Sequence, residues 1–87
     1  MRRVLKYPLG GGQQFLSLGQ NPKIVLFAMQ DSTTHIWVET DNYAAAKQVI
    51  YQIFATGENI PDHARHIASC KSDQRGTYIW HLYELLY

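Results

Sequence analysis

Hydrophobic and polar positions alternate along most of the chain, and the period of two predicts antiparallel β-strands. Residues 3–7 alternate and run into Pro8, which has no N–H to donate and suits the end or edge of a strand. Residues 15–18 predict a short second strand, closed by turn residues. Residues 23–30 are almost all apolar or β-branched, which favours a central strand that is covered on both faces.

Later segments predict two hairpins. Residues 31–34 read as a turn, and residues 35–39 then alternate, so this segment pairs with the strand before it. Residues 66–71 and 77–85 flank a charged tip and predict a second hairpin. Both faces of the last strand carry bulky side chains, so we expect it to lie in the middle of a sheet.

The segment between the two hairpins supports two interpretations. As a helix it has Asp41 as a cap, three consecutive alanines and Gly57 as a terminator. As a strand, residues 49–54 give two β-prone faces. Local signals favour the helix slightly. The sequence therefore predicts a mainly β protein, a compact antiparallel sheet or small sandwich with at most one helix at about residues 42–55.

Composition narrows the class of protein. The 87 residues suit a single domain spanning 1–87, and 46% apolar residues with 17% charged ones exclude a disordered chain. A net charge of +1 gives no field that attracts a nucleic acid polymer or an anionic membrane. The longest apolar run, residues 24–29, is far shorter than the roughly 20 residues that span a bilayer. With one cysteine and no disulfide framework, the chain fits a cytoplasmic location.

The sequence predicts neither an enzyme nor a metal or cofactor site. His63, His66 and Cys70 are ligand types, but no second pair stands at metal spacing. Cys70 suits core packing better than nucleophilic catalysis. Glu58 and Asp62 flank one loop, yet nothing marks either carboxylate as buried.

The chain carries more aromatic rings than its small core can bury. Aromatic residues make up 13% of it, and a ring left exposed suits stacking on a nucleobase or contact with a protein. Guanidinium groups and loop amides suit phosphate. These arguments select the candidate ligand-binding residues Trp37, Trp80, Arg65, Arg75, Thr56, Gly57, Asn59 and His63. Open sheet edges also favour a homo-oligomer.

Four segments together resemble a known family. They are Lys6-Tyr7-Pro8-Leu9, Ile36-Trp37, Thr56-Gly57 with Ile60-Pro61, and the closing Tyr-Ile-Trp-His-Leu-Tyr-Glu of residues 78–84. This combination resembles a largely uncharacterised family of short proteins encoded by bacteriophages and prophages. The resemblance implies an antiparallel β fold with a strand before Thr56, although the run of alanines at 44–46 departs from the pattern.

The resemblance and the residue inventory lead to two functional hypotheses. The first is a phage-encoded, non-catalytic protein that counteracts host defence by capturing a small nucleotide-like signal. The alternative is an inhibitor of a host protein, or a phage assembly factor, that acts through an aromatic patch or a sheet edge.

Overall fold

A computed structural model describes residues 1–41, 46–73 and 75–86, and these residues form two antiparallel sheets. The strands are β1 (Arg3–Leu9), β2 (Gln14–Leu18), β3 (Lys23–Gln30), β4 (Thr33–Thr40), β5 (Lys47–Ala55), β6 (Ala64–Lys71) and β7 (Ile79–Leu85). The three-stranded sheet has the order β1-β4-β3, and the four-stranded sheet has the order β2-β5-β7-β6. The predicted antiparallel β fold is confirmed.

The core lies between the two sheets and follows the period of two. Ile36 and Val38, two residues apart on β4, are both fully buried, as is Leu82 on β7. The other buried members of this cluster are Leu9, Leu18, Phe27, Val49 and Tyr51. β3 and β6 contact each other across the layers and join the sheets along one side. None of the described residues forms a helix long and apolar enough to cross a membrane.

β5 corrects the helix that local signals favoured. It is paired on both sides, with Tyr51 opposite Gln14 of β2 and Glu84 of β7. Two ladders satisfy its backbone, and alternate residues Val49 and Tyr51 enter the core. The helix is therefore wrong for residues 47–55, because tertiary pairing outweighs local propensity. Of the rest of the predicted helix, residue 46 is not helical and residues 42–45 lie outside the described residues.

β3 is an edge strand, which corrects the prediction that it is central and covered on both faces. Val25 and Leu26 are 44% and 50% exposed. The pairing with β4 shifts between Ile24 and Leu26, as at a β-bulge, so the apolar run does not stay on one buried face. The prediction that the last strand is central is confirmed, because β7 lies between β5 and β6.

The turns divide the sandwich into two ends. The "hairpin end" carries the β1–β2, β3–β4 and β6–β7 connections and the turn after β5, and the "opposite end" carries the β2–β3 turn and the starts of β5 and β6. Asp31 and Ser32 form the two-residue β3–β4 loop, and both have positive φ, as a type I′ turn requires. Gly57 has φ +96°, a conformation that an L side chain rarely adopts.

Candidate functional site

At the hairpin end an open cleft of ≈ 320 Å³ lies between the sheets, and we call it the tryptophan cleft. It is lined by apolar side chains, by hydroxyl-bearing residues of the β3–β4 hairpin and by the backbone of two glycines. These residues are Leu9, Gly10, Gly11, Met29, Ser32, Thr33, Thr34, Ile53 and Trp80. None of them carries a charge. The cleft therefore offers an apolar surface, one indole ring and a polar rim.

Trp80 reaches this cleft because of its neighbours in the sheet. It lies opposite Ala55 of β5 on one side and Cys70 of β6 on the other, and these small side chains leave the indole half-buried. Tyr78 stacks on it with ring centroids 6.1 Å apart and planes 24° apart. Because Tyr78 is 61% exposed, the pair presents a stacked aromatic surface to solvent.

Side-chain hydrogen bonds fix the polar rim. Thr34 Oγ1 donates to the carbonyl oxygen of Leu9 at 3.0 Å and ties the β3–β4 hairpin to the end of β1. The Gln14 side-chain amide donates to the carbonyl oxygen of Gly11 at 3.0 Å. Ser32 and Thr33 remain exposed at the edge of the cleft. Their hydroxyl groups are available to a bound molecule.

The opposite end holds a second cleft, of ≈ 260 Å³, with a different character. Lys47, Tyr51, Arg65 and Glu84 line it, and we call it the charged cleft. Arg65 Nη2 lies 2.6 Å from Glu84 Oε1 in an ion pair. Burial and the Glu84 carboxylate raise the pKa of Tyr51 to about 12, while Arg65 acts in the opposite direction. Two of its three charged residues, Arg65 and Glu84, therefore already partner each other.

The outer face of the four-stranded sheet carries a chain of hydrogen-bonded side chains. Thr56 Oγ1 is 2.9 Å from His81 Nε2, and His81 Nδ1 is 2.7 Å from Ser69 Oγ. Ser69 Oγ is also 2.9 Å from His66 Nε2. We call His66, Ser69, His81 and Thr56 the histidine cluster.

The structure does not gather all the predicted site residues in one place. Trp80 lies in the tryptophan cleft, and Thr56, Gly57 and Arg75 belong to connections at the same end. Asn59 follows in the exposed β5–β6 loop. Arg65 lies in the charged cleft, His63 stands just before β6 at the opposite end, and Trp37 lies on the outer face of β4 between Lys6 and Leu26.

Cys70 and Glu58 also carry side chains of types used in catalysis, and each of them contacts other parts of the fold. Cys70 packs against the core, and burial raises the pKa of its thiol, which disfavours the reactive thiolate. Glu58 accepts a hydrogen bond from the backbone N–H of Ala55 at 2.6 Å and closes the turn after β5. Within the described residues, no group of three or more His, Cys, Asp or Glu side chains is placed to hold a metal ion.

Sequence reasoning missed three parts of these sites. The contribution of Met29, Ile53 and the β3–β4 hydroxyls to the tryptophan cleft depends on how the sheets stack, which local patterns do not encode. The pairing of Glu84 with Arg65 and the contact of His81 with Ser69 depend on the β6–β7 register. The predicted hairpin of residues 66–71 and 77–85 could have indicated these two contacts, because the register of a hairpin places residues of its two strands directly opposite each other.

A family model described as a domain of unknown function, DUF7352, matches residues 1–86. The chain belongs to the DUF7352 family. The match spans all seven strands and both clefts, so the DUF7352 domain comprises the whole two-sheet fold. Searches of curated proteins and of solved structures find no match to the chain. Membership in an uncharacterised family is confirmed, and DUF7352 itself assigns no ligand.

Proposed function

We propose that this protein is a phage-encoded, non-catalytic binding protein that captures a small nucleotide-like signal of the host cytoplasm and so counteracts host defence. The observation that carries the proposal is the stacked Trp80–Tyr78 pair beside an uncharged cleft of ≈ 320 Å³. The ligand's flat heteroaromatic ring stacks on Trp80. The hydroxyls of the rim bind the polar edge of that ring.

Size and chemistry of the tryptophan cleft support this ligand class. Small-molecule sites have volumes of roughly 300–1,000 Å³ and combine an apolar lining with a few polar groups. The tryptophan cleft is at the lower end of that range, which suits a nucleobase with its sugar better than a dinucleotide. Stacking of a base on an aromatic side chain contributes about 1–3 kcal/mol.

The distribution of arginines refines the phosphate-binding part of the hypothesis. Arg65 is at the opposite end and is paired with Glu84, so we omit it from the proposed site. Arg75 lies in the β6–β7 connection, at the same end as Trp80, and is exposed. In this proposal the base enters the cleft and a phosphate extends towards Arg75.

Isothermal titration calorimetry with matched tryptophan variants tests the proposal. The panel comprises nucleosides, cyclic nucleotides and ADP-ribose derivatives. We expect binding of at least one compound to weaken by roughly 5- to 150-fold in Trp80→Ala, which corresponds to the loss of about 1–3 kcal/mol of stacking energy. Trp37→Ala, on the outer face of the other sheet, is the control and binds as the wild type does. Absence of heat with every compound overturns the proposal.

A second candidate function, inhibition of a host protein, is favoured by the outer face of the three-stranded sheet. Val4, Val25 and Leu26 are 44–50% exposed on or beside this face, and Trp37 lies between Lys6 and Leu26. Aromatic residues are enriched at protein interfaces, and an aromatic ring with both apolar and polar neighbours is suited to such a contact. If this function is correct, Trp37→Ala releases a stoichiometric host protein in a pull-down and Trp80→Ala does not.

Self-association is a further part of the proposal. β3 and β6 contact each other, whereas β1 and β2 are the edge strands on the other side of the two sheets, and edge strands of this kind pair with a second copy. Native mass spectrometry of the purified protein reports the number of subunits and any retained small molecule together. A monomer without a bound molecule contradicts the oligomer and gives no support to ligand capture.

A further inference from the structure

Two imidazole rings on the outer face of the four-stranded sheet direct a nitrogen at the same point. His81 Nδ1 lies 2.7 Å and His66 Nε2 lies 2.9 Å from Ser69 Oγ. The ring centroids are 6.4 Å apart. We propose that His66 and His81 chelate a divalent late transition-metal ion, with Cu²⁺ bound most tightly. The site is separate from the tryptophan cleft and does not depend on the ligand-capture function.

A register shift in the β6–β7 hairpin builds this pair. His66 is opposite Tyr83, whereas Ser69 is opposite His81, and the shift falls between His66 and Ala68. In a regular strand, residues three apart point to opposite faces of the sheet. The irregularity restores His66 and Ser69 to one face, next to His81 on the neighbouring strand.

Neighbouring side chains orient both imidazoles. His81 has its other ring nitrogen, Nε2, within 2.9 Å of Thr56 Oγ1, which leaves Nδ1 directed at the shared point. The rings of His66 and Tyr83 form a T-shaped contact, with centroids 5.2 Å apart and an interplanar angle of 71°. Metal-binding histidines commonly use one nitrogen as ligand and hydrogen-bond the other. His81 has this arrangement.

The ligand set determines the class of ion. Neutral imidazoles suit Zn²⁺, Ni²⁺ and Cu²⁺, and affinity for such sites rises to a maximum at Cu²⁺. Solvent fills the remaining coordination positions, because no third His, Cys, Asp or Glu side chain among the described residues is placed to join the two imidazoles. The ion replaces the Ser69 hydroxyl as the shared partner. His66 is exposed, so its ring has room to tilt towards His81.

Titration with Cu²⁺ near neutral pH, followed by electron paramagnetic resonance and by competition with a chromophoric chelator, tests the site. We expect one equivalent to bind with the signature of two imidazole nitrogens. His66→Ala and His81→Ala are each expected to weaken binding about tenfold or more. Loss of a residue that only supports a metal ligand already weakens binding about 10–100-fold, and loss of the ligand itself weakens it at least as much as the lower of these values. Ser69→Ala retains wild-type affinity, because the hydroxyl is not a ligand.

His63→Ala and His35→Ala are the matched controls, since each removes an imidazole outside the cluster and leaves binding unchanged. Circular dichroism checks that every variant is folded. Equal weakening in a control and in His66→Ala overturns the proposal, because the ion is then adventitious. A wild-type spectrum without two imidazole nitrogens overturns it as well.

Discussion

The two ends of the sandwich have clefts of similar size and opposite chemistry. The tryptophan cleft measures ≈ 320 Å³ and is lined by uncharged residues, with Trp80 as its main aromatic surface. The charged cleft measures ≈ 260 Å³ and contains Lys47, Arg65 and Glu84 around the hydroxyl-bearing ring of Tyr51. Residues of both sheets line each cleft.

This difference indicates which of the two clefts can accept a ligand without breaking an existing ion pair. In the charged cleft, Glu84 and Arg65 form an ion pair, so a charged ligand must compete with an existing partner. In the tryptophan cleft, the indole and the rim hydroxyls have no such competing charge among the lining residues. We therefore propose ligand capture at the hairpin end rather than at the opposite end, where the Arg65–Glu84 ion pair joins β6 to β7.

The largest expected effect is on the core that both clefts share. Leu82 is fully buried on β7, two residues from Trp80 in one direction and two from Glu84 in the other. Leu82→Ala leaves a cavity between the clefts and is expected to lower the free energy of unfolding by about 2–5 kcal/mol. Chemical denaturation measures this loss. The exposed Leu86→Ala is the control, with a change within about 0.5 kcal/mol; equal losses in the two variants contradict the shared core.

An intermediate effect concerns Tyr51 and distinguishes the charged cleft from the tryptophan cleft at high pH. Its folded-state pKa of about 12 is above the ordinary value of 10.0, so its stabilising contribution is complete below pH 10. It is lost as pH rises from 10.0 towards 12, because ionisation then favours the unfolded chain. The contribution is on the order of 1–2 kcal/mol after allowance for solvent.

Denaturation at a series of alkaline pH values measures this contribution. The wild type loses stability through that window, and Tyr51→Phe loses about 1–2 kcal/mol less, because the substituted ring does not ionise. Tyr78→Phe, which changes an exposed ring of the tryptophan cleft's stacked pair, is the control and follows the wild-type curve. Superimposable curves for wild type and Tyr51→Phe contradict the prediction.

The strands were predictable from the sequence to a greater extent than the clefts. Alternation predicts strands at residues 35–39 and 77–85, and the structure has β4 at Thr33–Thr40 and β7 at Ile79–Leu85, so residues 77 and 78 precede the last strand. The pattern at residues 47–55 was compatible with a helix, because a window of nine residues contains no information about the β2 and β7 partners. Trp80 was found as a candidate, since aromatic excess is visible in composition.

The partners of Trp80 were not predictable. Met29, Ile53 and Trp80 come from three strands, two of which belong to the same sheet and one to the other. Their meeting depends on how the two sheets are stacked, and no spacing along the chain specifies that offset. Arg65 was selected as a phosphate ligand because guanidinium chemistry was visible and its neighbour Glu84, 19 residues away, was not.

The smallest expected effect is on the pKa of Tyr51 when either Glu84 or Arg65 loses its charge. It tests whether these two charges oppose each other in the charged cleft. Glu84 raises the pKa of Tyr51 and Arg65 lowers it, so the two charges act on the phenol in opposite directions. Glu84→Gln is expected to bring the pKa of Tyr51 below its wild-type value, and Arg65→Ala to move it higher. Ultraviolet titration of the phenolate, with each variant compared against the same variant carrying Tyr51→Phe, isolates this one tyrosine from the others.

The accompanying change in stability is small because the pair is only partly shielded from water. The Arg65 side chain is 63% exposed and Glu84 is 16% exposed, so loss of the ion pair should lower the free energy of unfolding by about 0.2–1 kcal/mol. Shifts of the Tyr51 pKa in the same direction in both variants contradict the prediction that Glu84 and Arg65 act on it in opposite directions. Opposite shifts with unchanged nucleotide binding assign the charged cleft to the stability of the fold and leave ligand capture to Trp80.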